Sequence, residues 1–368
     1  MKKILIMFGS VGLGHKVIAE NIAQALSKYP DIELSMLDVL EMYKGPLTET
    51  SAKIYTWIIK QMPALWRFFY TNRVFLELTL PLRVPFAGIR AKKLWQKISQ
   101  EKPDLIVTTH PTPTAFVSYF KKEGLFGGLL ITTFSDYHFQ PYWVYSLVDR
   151  YLVMTEAQKE EVMKYGFSSK RIVVTGMPVS EEFRKDYEES EIMRGFKLSH
   201  TRPIILMMGG SHGWGIRIED VLELLKSELE TELVVVTGTD KVLAKKLESL
   251  AEKHLKVFSD WSNENIAKLF SVARILITKP GGLTVSQAIA ENLPMILAHP
   301  LPAMEELNQD YLLKAGVAVA AKSPREIRMW MQRLLLDKKF YQMLKQNLKR
   351  INVPDAAERA ASAIIDML

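Results

Sequence analysis

Short apolar runs of strand length alternate with amphipathic stretches of helical length along this chain, and the series starts twice. The first series has runs at Lys3–Phe8, Leu105–Thr109, Gly128–Thr132, Arg150–Met154 and Arg171–Thr175, with a second possible strand ending at Asp38. The second has runs at Ile204–Met208, Leu233–Thr237, Lys256–Phe258, Ile275–Thr278, Met295–Ala298 and Val317–Ala320. Runs this apolar, spaced by helices, specify parallel sheets covered on both faces. Gly176-Met177-Pro178 closes the first series and a polar stretch from Ser180 to Arg202 follows. Pro203–Gly210 then opens a new first strand and glycine turn. A chain of 368 residues is too long for one core and suits two. The reading is an α/β protein of two Rossmann-like domains, residues 1–178 and 179–352, facing a central cleft, with a final helix over 353–368. Ser323-Pro324-Arg325-Glu326 reads as a capping box with proline at the first helical position.

Composition narrows the chemistry. No cysteine is present, which excludes disulfides, thiolate metal sites and cysteine nucleophiles. Met1–Phe8 begins like a signal peptide, but the apolar run is short and leads into a glycine turn, so it reads as the first strand. No run of about 18 apolar residues marks a transmembrane helix. The formal net charge of +7 points to an anionic partner, nucleic acid or a membrane surface.

Two glycine turns carry most of the functional signal. Lys279-Pro280-Gly281-Gly282-Leu283-Thr284 joins a strand to the helix that begins near Val285. Glycines there let backbone N–H groups approach an anion, the helix aims its positive end at the same spot, and Thr284 adds a hydroxyl. Gly209-Gly210-Ser211-His212-Gly213 is the matching turn after the first strand of the second half. Together they put two amide-rich turns at the carboxyl edge of one sheet, where open α/β folds bind ligands. The pattern suits a diphosphate.

In the first half, Gly9-Ser10-Val11-Gly12-Leu13-Gly14-His15 closes a strand and opens a helix. Its glycines do not fit the dinucleotide spacing, although Asp38 stands where a ribose-binding acid would. The turn is either a plain tight turn or a seat for His15. An imidazole at a helix N-terminus has its proton disfavoured, and a neutral histidine accepts a proton from a hydroxyl. Asp136, in Ser135-Asp136-Tyr137-His138, follows a strand and either caps a turn or supports or replaces His15 as base.

Residues Ala52–Lys97 hold nine basic residues against one acid, Glu77. Trp57, Trp66, Trp95, Phe68, Phe69 and other aromatics interleave with them. The segment is a core with a solvated basic face, a stacking surface for nucleic acid, or a membrane-interface element. The membrane reading is preferred, because the stretch is too apolar for a nucleic-acid patch. Pro63, Pro81 and Pro85 are expected to break it into short pieces that lie on a surface.

These motifs resemble those of GT-B glycosyltransferases, and more closely the monogalactosyldiacylglycerol synthase and processive diacylglycerol glucosyltransferase family, relatives of the peptidoglycan enzyme that glycosylates lipid I. The resemblance spans nearly the whole chain. It rests on the glycine loop ending in His15, the segment from Lys53-Ile54-Tyr55 to Trp66-Arg67-Phe68-Phe69-Tyr70, and Ser135-Asp136 through Trp143. It rests also on Gly176-Met177-Pro178, on Lys279-Pro280-Gly281-Gly282, and on Pro302 with Glu305 and Asn308. It implies inverting transfer from a UDP-sugar to diacylglycerol, with no metal and no cofactor. It implies that Gly209, Gly210, Ser211, Gly281, Gly282 and Thr284 hold the diphosphate beside Lys279. Backbone near Phe258 would read the uracil, and Glu305 and Asn308 would hold the sugar. Trp57, Trp66, Arg67, Phe68 and Phe69 would face the lipid, and the last helix would return to the first domain.

Three departures stand out. The family's histidine four residues after the aspartate is Gln140, with a histidine at His138 instead. The ribose-binding glutamate is replaced by Gln287, and the glutamine before Glu305 by Met304. The expectation is therefore a hexosyltransferase at the inner face of the cell membrane, in contact with anionic lipid and not with nucleic acid. A polyprenyl-linked acceptor, a sugar-nucleotide epimerase and a non-catalytic nucleotide-sugar sensor are the competing readings.

Overall fold

The computed structural model describes residues 1–10, 13–43, 45, 54, 57–59, 61–89, 91–259 and 261–368, without the Phe86 side chain. Val11 and Gly12 of the first glycine loop, and Lys53 and Tyr55 of the aromatic segment, thus lie outside the described residues. The chain divides into two compact units. One comprises Met1–Val179, Pro302–Met304 and Asp355–Leu368; the other comprises Ser180–Leu301 and Glu305–Pro354.

The first unit holds strands β1 (Lys2–Phe8), β2 (Ile32–Asp38), β3 (Leu105–Thr108), β4 (Leu129–Thr133), β5 (Arg150–Val153) and β6 (Ile172–Val174). All pair in parallel, in the order β2-β1-β3-β4-β5-β6. The second unit holds β7 (Ile204–Met208), β8 (Glu232–Val236), β9 (Leu255–Phe258), β10 (Ala273–Thr278), β11 (Met295–Ala298) and β12 (Ala318–Ala321). These too are parallel, in the order β12-β11-β10-β7-β8-β9. The α/β expectation of two parallel sheets holds. Helices on both faces bury the strands, so Ile4, Leu5, Ile6 and Met7 of β1 and Ile205 and Leu206 of β7 are fully enclosed. That is why these strands read as continuous apolar runs rather than alternating ones.

In each sheet the strand order reverses once, between β1 and β3 and between β7 and β10. At such a switch point the connections leave in opposite directions and open a crevice at the carboxyl ends. His15 follows β1 and Thr109 follows β3; Gly209 follows β7 and Lys279 follows β10. Topology thus delivers each pair of loops to one place.

β2 was only half legible because it is an edge strand with no fully buried residue. Its Asp38 accepts the Leu40 N–H at 2.9 Å and the Glu41 N–H at 3.2 Å, and takes the Ser10 hydroxyl. This acid caps a short helix and steadies the first glycine loop.

One expectation is corrected. Pro63 starts the helix Pro63–Thr71, but Pro81 and Pro85 lie inside one continuous helix, Arg73–Gly88. Both prolines are exposed and four residues apart. Arg83 further takes the Leu76 carbonyl at 2.9 Å and the Thr79 hydroxyl at 3.1 Å. The helix passes close to its neighbour at Gly88, where a Cβ would lie 2.5 Å from the Tyr119 ring. The last helix, Ala356–Ile365, is part of the first unit, and its Ala363 carbonyl accepts from Arg150 at 2.6 Å. Ser323 caps the helix Pro324–Leu336 through the Glu326 N–H at 3.3 Å; Glu326 reaches back to the Lys322 N–H at 2.9 Å, one residue earlier than the capping-box pattern.

Candidate active site

The first-unit site is built on backbone. His15 lies in the first turn of the helix Leu13–Leu26, half-buried. Its Nδ1 lies 2.6 Å from the Thr109 carbonyl, and the Thr109 hydroxyl returns a bond to the His15 carbonyl at 2.9 Å. A carbonyl only accepts, so Nδ1 carries the proton and the Nε2 lone pair is the basic one. Burial lowers the His15 pKa below its ordinary 6.5, while the Asp136 carboxylate and the Thr109 carbonyl pull the other way. The ring is therefore neutral at neutral pH. Its tautomer is set by Thr109, and Asp136 acts on it through charge.

His110 is the residue that sequence reasoning passed over. Its ring stands edge-on to His15, 4.6 Å between centroids, and Trp143 lies 6.2 Å from His15 on another side. His110 Nδ1 accepts the Thr112 N–H at 3.1 Å and caps the helix Pro111–Lys122. Burial, and then His15, hold its pKa well below the ordinary value. The only available signal was its place, one residue past Thr109 at a strand's carboxyl end.

The loop after β4 carries Asp136. Gln158, 1% exposed, donates to the carbonyls of Asp136 and of His138 (2.9 Å), and accepts the Met154 N–H at 2.8 Å. His138 Nε2 meets the Tyr70 hydroxyl at 3.0 Å, and Gln140 donates to the Tyr70 carbonyl at 2.7 Å. Gln140, where a histidine was expected, is thus a buried tie to the aromatic helix.

In the second unit the two glycine turns meet. Gly210 (φ +75°) and Gly213 (φ +68°) are left-handed, a conformation glycine adopts without strain. A Cβ on Gly210 would lie 2.9 Å from the Lys279 side chain, and one on Gly209 would strike the Gly213 backbone at 2.5 Å. Lys279 therefore crosses directly over the first turn. Its ammonium pairs with Glu305, whose other oxygen accepts the Leu301 N–H at 2.8 Å. Asn308, fully buried, donates to the Pro280 carbonyl at 3.2 Å. The helix Gly282–Ala290 starts at this turn, with Thr284 half-buried and Gln287 4% exposed. Ser211 is held from the β8 side, its carbonyl accepting the Thr239 N–H at 2.8 Å. At the end of β9, the Phe258 carbonyl accepts the Thr237 N–H at 2.9 Å, and its ring packs 4.0 Å from Trp261, which lies 4.8 Å from Phe196.

Beside this turn stands a second feature absent from the sequence reading. His299, left-handed at φ +52°, meets the buried Asp220 carboxylate at 2.7 Å, pinning the chain that leads from β11 to Glu305.

The aromatic segment is divided by the structure. Tyr70 and Leu76 turn inward, and Trp66 is half-buried. Trp57, Arg67, Phe68 and Phe69 are exposed, and so is the stripe Val74, Leu78 and Leu82 along the next helix. Among the described residues no helix is long and apolar enough to cross a membrane.

Comparison with known proteins fits this geometry. Residues 15–179 match the family model of monogalactosyldiacylglycerol (MGDG) synthase, and residues 189–351 that of glycosyl transferases group 1. The chain is similar to the processive diacylglycerol beta-glucosyltransferase of Bacillus cytotoxicus, 28% identical over 369 residues, covering 99% of this chain and 93% of the relative. The enzyme of that name from Bacillus licheniformis is 26% identical, covering 99% and 95%. Among solved structures, Acinetobacter baumannii MurG matches with a TM-score of 0.62 at 17% identity, over the whole of both chains. A UDP-GlcNAc 2-epimerase from Neisseria meningitidis bound to UDP-GlcNAc matches with 0.65 at 15%, over 99% of this chain and 100% of the other. The two parallel sheets and these likenesses show the GT-B fold. Within that fold, the first unit is similar to monogalactosyldiacylglycerol synthases and the chain as a whole to processive diacylglycerol beta-glucosyltransferases.

Proposed function

We propose that this protein transfers glucose from UDP-glucose to diacylglycerol, with inversion at the anomeric carbon, at the cytoplasmic surface of the cell membrane. The observation that carries the reading is the His15 tautomer: Nδ1–H is committed to Thr109, which leaves Nε2 to take a proton. Full-length likeness to relatives named beta-glucosyltransferases supports the sugar and acceptor. A β-linked product from an α-linked sugar nucleotide requires inversion, and so a single displacement.

In that displacement Nε2 removes the acceptor hydroxyl proton as the oxygen bonds to the anomeric carbon and the bond to UDP breaks. General-base assistance of this kind is worth about 10²–10⁴ in rate. Gly209, Gly210, Ser211, Gly281, Gly282 and Thr284 supply backbone and hydroxyl donors to the leaving diphosphate. Lys279, with N–H donors beyond the one given to Glu305, adds charge. Asn308 acts by fixing the Pro280 carbonyl and Gln287 lies near the ribose. Phe258 marks the base-binding end. The exposed residues Trp57, Arg67, Phe68 and Phe69 seat the protein in an anionic bilayer, helped by the basic excess of this segment.

The test is to incubate the purified protein with diacylglycerol in anionic vesicles and either UDP-glucose or UDP-galactose. Glucosyl-diacylglycerol is the expected product. Transfer only to a polyprenyl-linked acceptor, or UDP binding without any product, would replace this reading by one of its competitors.

A further inference from the structure

Lys279 stands between two walls of the second unit. One is the first glycine turn, where a Cβ on Gly210 would lie 2.9 Å from the lysine side chain and one on Gly215 3.1 Å from it. The other is Glu305, which takes the ammonium with one oxygen and the Leu301 N–H with the other, at 2.8 Å. These walls follow different strands, β7 and β11, which flank the β10 strand that delivers Lys279. A side-chain bond joins them. Asp220 lies in the first turn of the helix Ile218–Leu225, which follows the glycine turn, and meets His299 Nε2 at 2.7 Å. His299 follows β11 directly, and Pro300, with its fixed φ, and Leu301 carry the chain on toward Glu305.

Both members of this pair sit in unfavourable states. Asp220 is 1% exposed, and its Oδ1 has no hydrogen-bond partner among the described residues. His299 is a non-glycine residue in the left-handed region. A buried polar atom left unpaired and a left-handed side-chain-bearing backbone each oppose folding, and such features gather at functional sites.

We propose that Asp220 and His299 are positioning residues for the donor diphosphate. Their bond clasps the glycine turn to the segment that leads to Glu305, and so fixes the Lys279 ammonium where the diphosphate arrives. The inference rests on the donor-site reading above. Without the clasp the segments after β7 and β11 open independently, at a free energy below that of global unfolding. The ammonium, on its flexible four-carbon stem, then loses its fixed place. Neither Asp220 nor His299 needs to touch the nucleotide.

The experiment titrates UDP into the purified full chain by calorimetry and records the melting temperature of each variant. His299→Gly removes the imidazole and leaves a residue that adopts the left-handed backbone without strain. UDP affinity should fall about tenfold while the melting temperature changes little. Asp220→Ala should give the same loss of affinity. Asp220→Asn keeps an acceptor for the His299 Nε2–H and should stay within about threefold of the parent. In a Lys279→Ala background, His299→Gly should cost less than about a further twofold, because the clasp acts through the ammonium. Equal losses with and without Lys279 would overturn the proposal. So would a His299→Gly or Asp220→Ala protein that melts lower yet binds UDP like the parent, which is the mark of a purely structural bond. Both of these outcomes leave the proposed function standing. If the unaltered protein failed to bind UDP, the proposed function would fall and this inference with it.

Discussion

The switch points of the two sheets are built from different materials. In the first unit a neutral imidazole is held by a backbone carbonyl, and burial keeps it uncharged. In the second, glycines clear a space across which a lysine pairs with a glutamate. Under the proposed function the difference has a reason: a base needs its charge suppressed, which desolvation supplies, and a leaving diphosphate needs charge and bare amides, which the absence of side chains supplies. The strand orders differ, but each sheet has one switch point, and a switch point fixes only where the loops meet.

The comparison is broken most severely by His15→Ala. It should lower kcat by about 10²–10⁴-fold while UDP affinity stays near that of the parent. Steady-state kinetics with UDP titration calorimetry checks this. Lys279→Ala should cost about 10²–10³-fold in kcat/KM through the leaving group and weaken UDP binding as well. Gly210→Ala acts on the same place by sterics, since its Cβ would lie 2.9 Å from Lys279 in a left-handed backbone. About a tenfold loss of UDP affinity is expected from that strain.

Two smaller effects sharpen the contrast through pH. The acid limb of kcat/KM should fall below 6.5, because burial holds His15 under that value. Asp136→Asn should move the limb lower still, because the carboxylate is what raises the His15 pKa. Stability gives the smallest signal. His15 and His110 both have folded-state pKa values below 6.5, so their contribution is complete above 6.5 and is lost as the pH falls through the folded values. Glu291, pushed up to about 7 by burial and then by Asp186, has the opposite sign, its contribution being lost as the pH rises. His110→Asn isolates the histidine effect, since asparagine also caps helices well. Its melting temperature should fall less than that of the parent on acidification.

What the sequence disclosed follows from the same contrast. Glycine turns and His15 were legible, because a strand-to-helix junction forces them into view. Thr109 was not, since its role lies in a carbonyl that every residue has. Lys279 and Glu305, 26 residues apart in sequence, were both noticed, but their pairing was not. Pro81 and Pro85 misled because proline's local penalty is overridden here: both are exposed, while the helix is held from its inner side by Leu76 and Arg83. Gln140 looked like a lost histidine, and it is the buried tie that holds the loop to Tyr70.

The most direct test of the central claim is the imidazole ¹⁵N spectrum of His15 in the protein, assigned by comparison with His15→Ala. The account predicts a neutral ring at neutral pH, protonated at Nδ1, with a titration midpoint below 6.5. A ring protonated at Nε2, or an imidazolium at neutral pH, would contradict it.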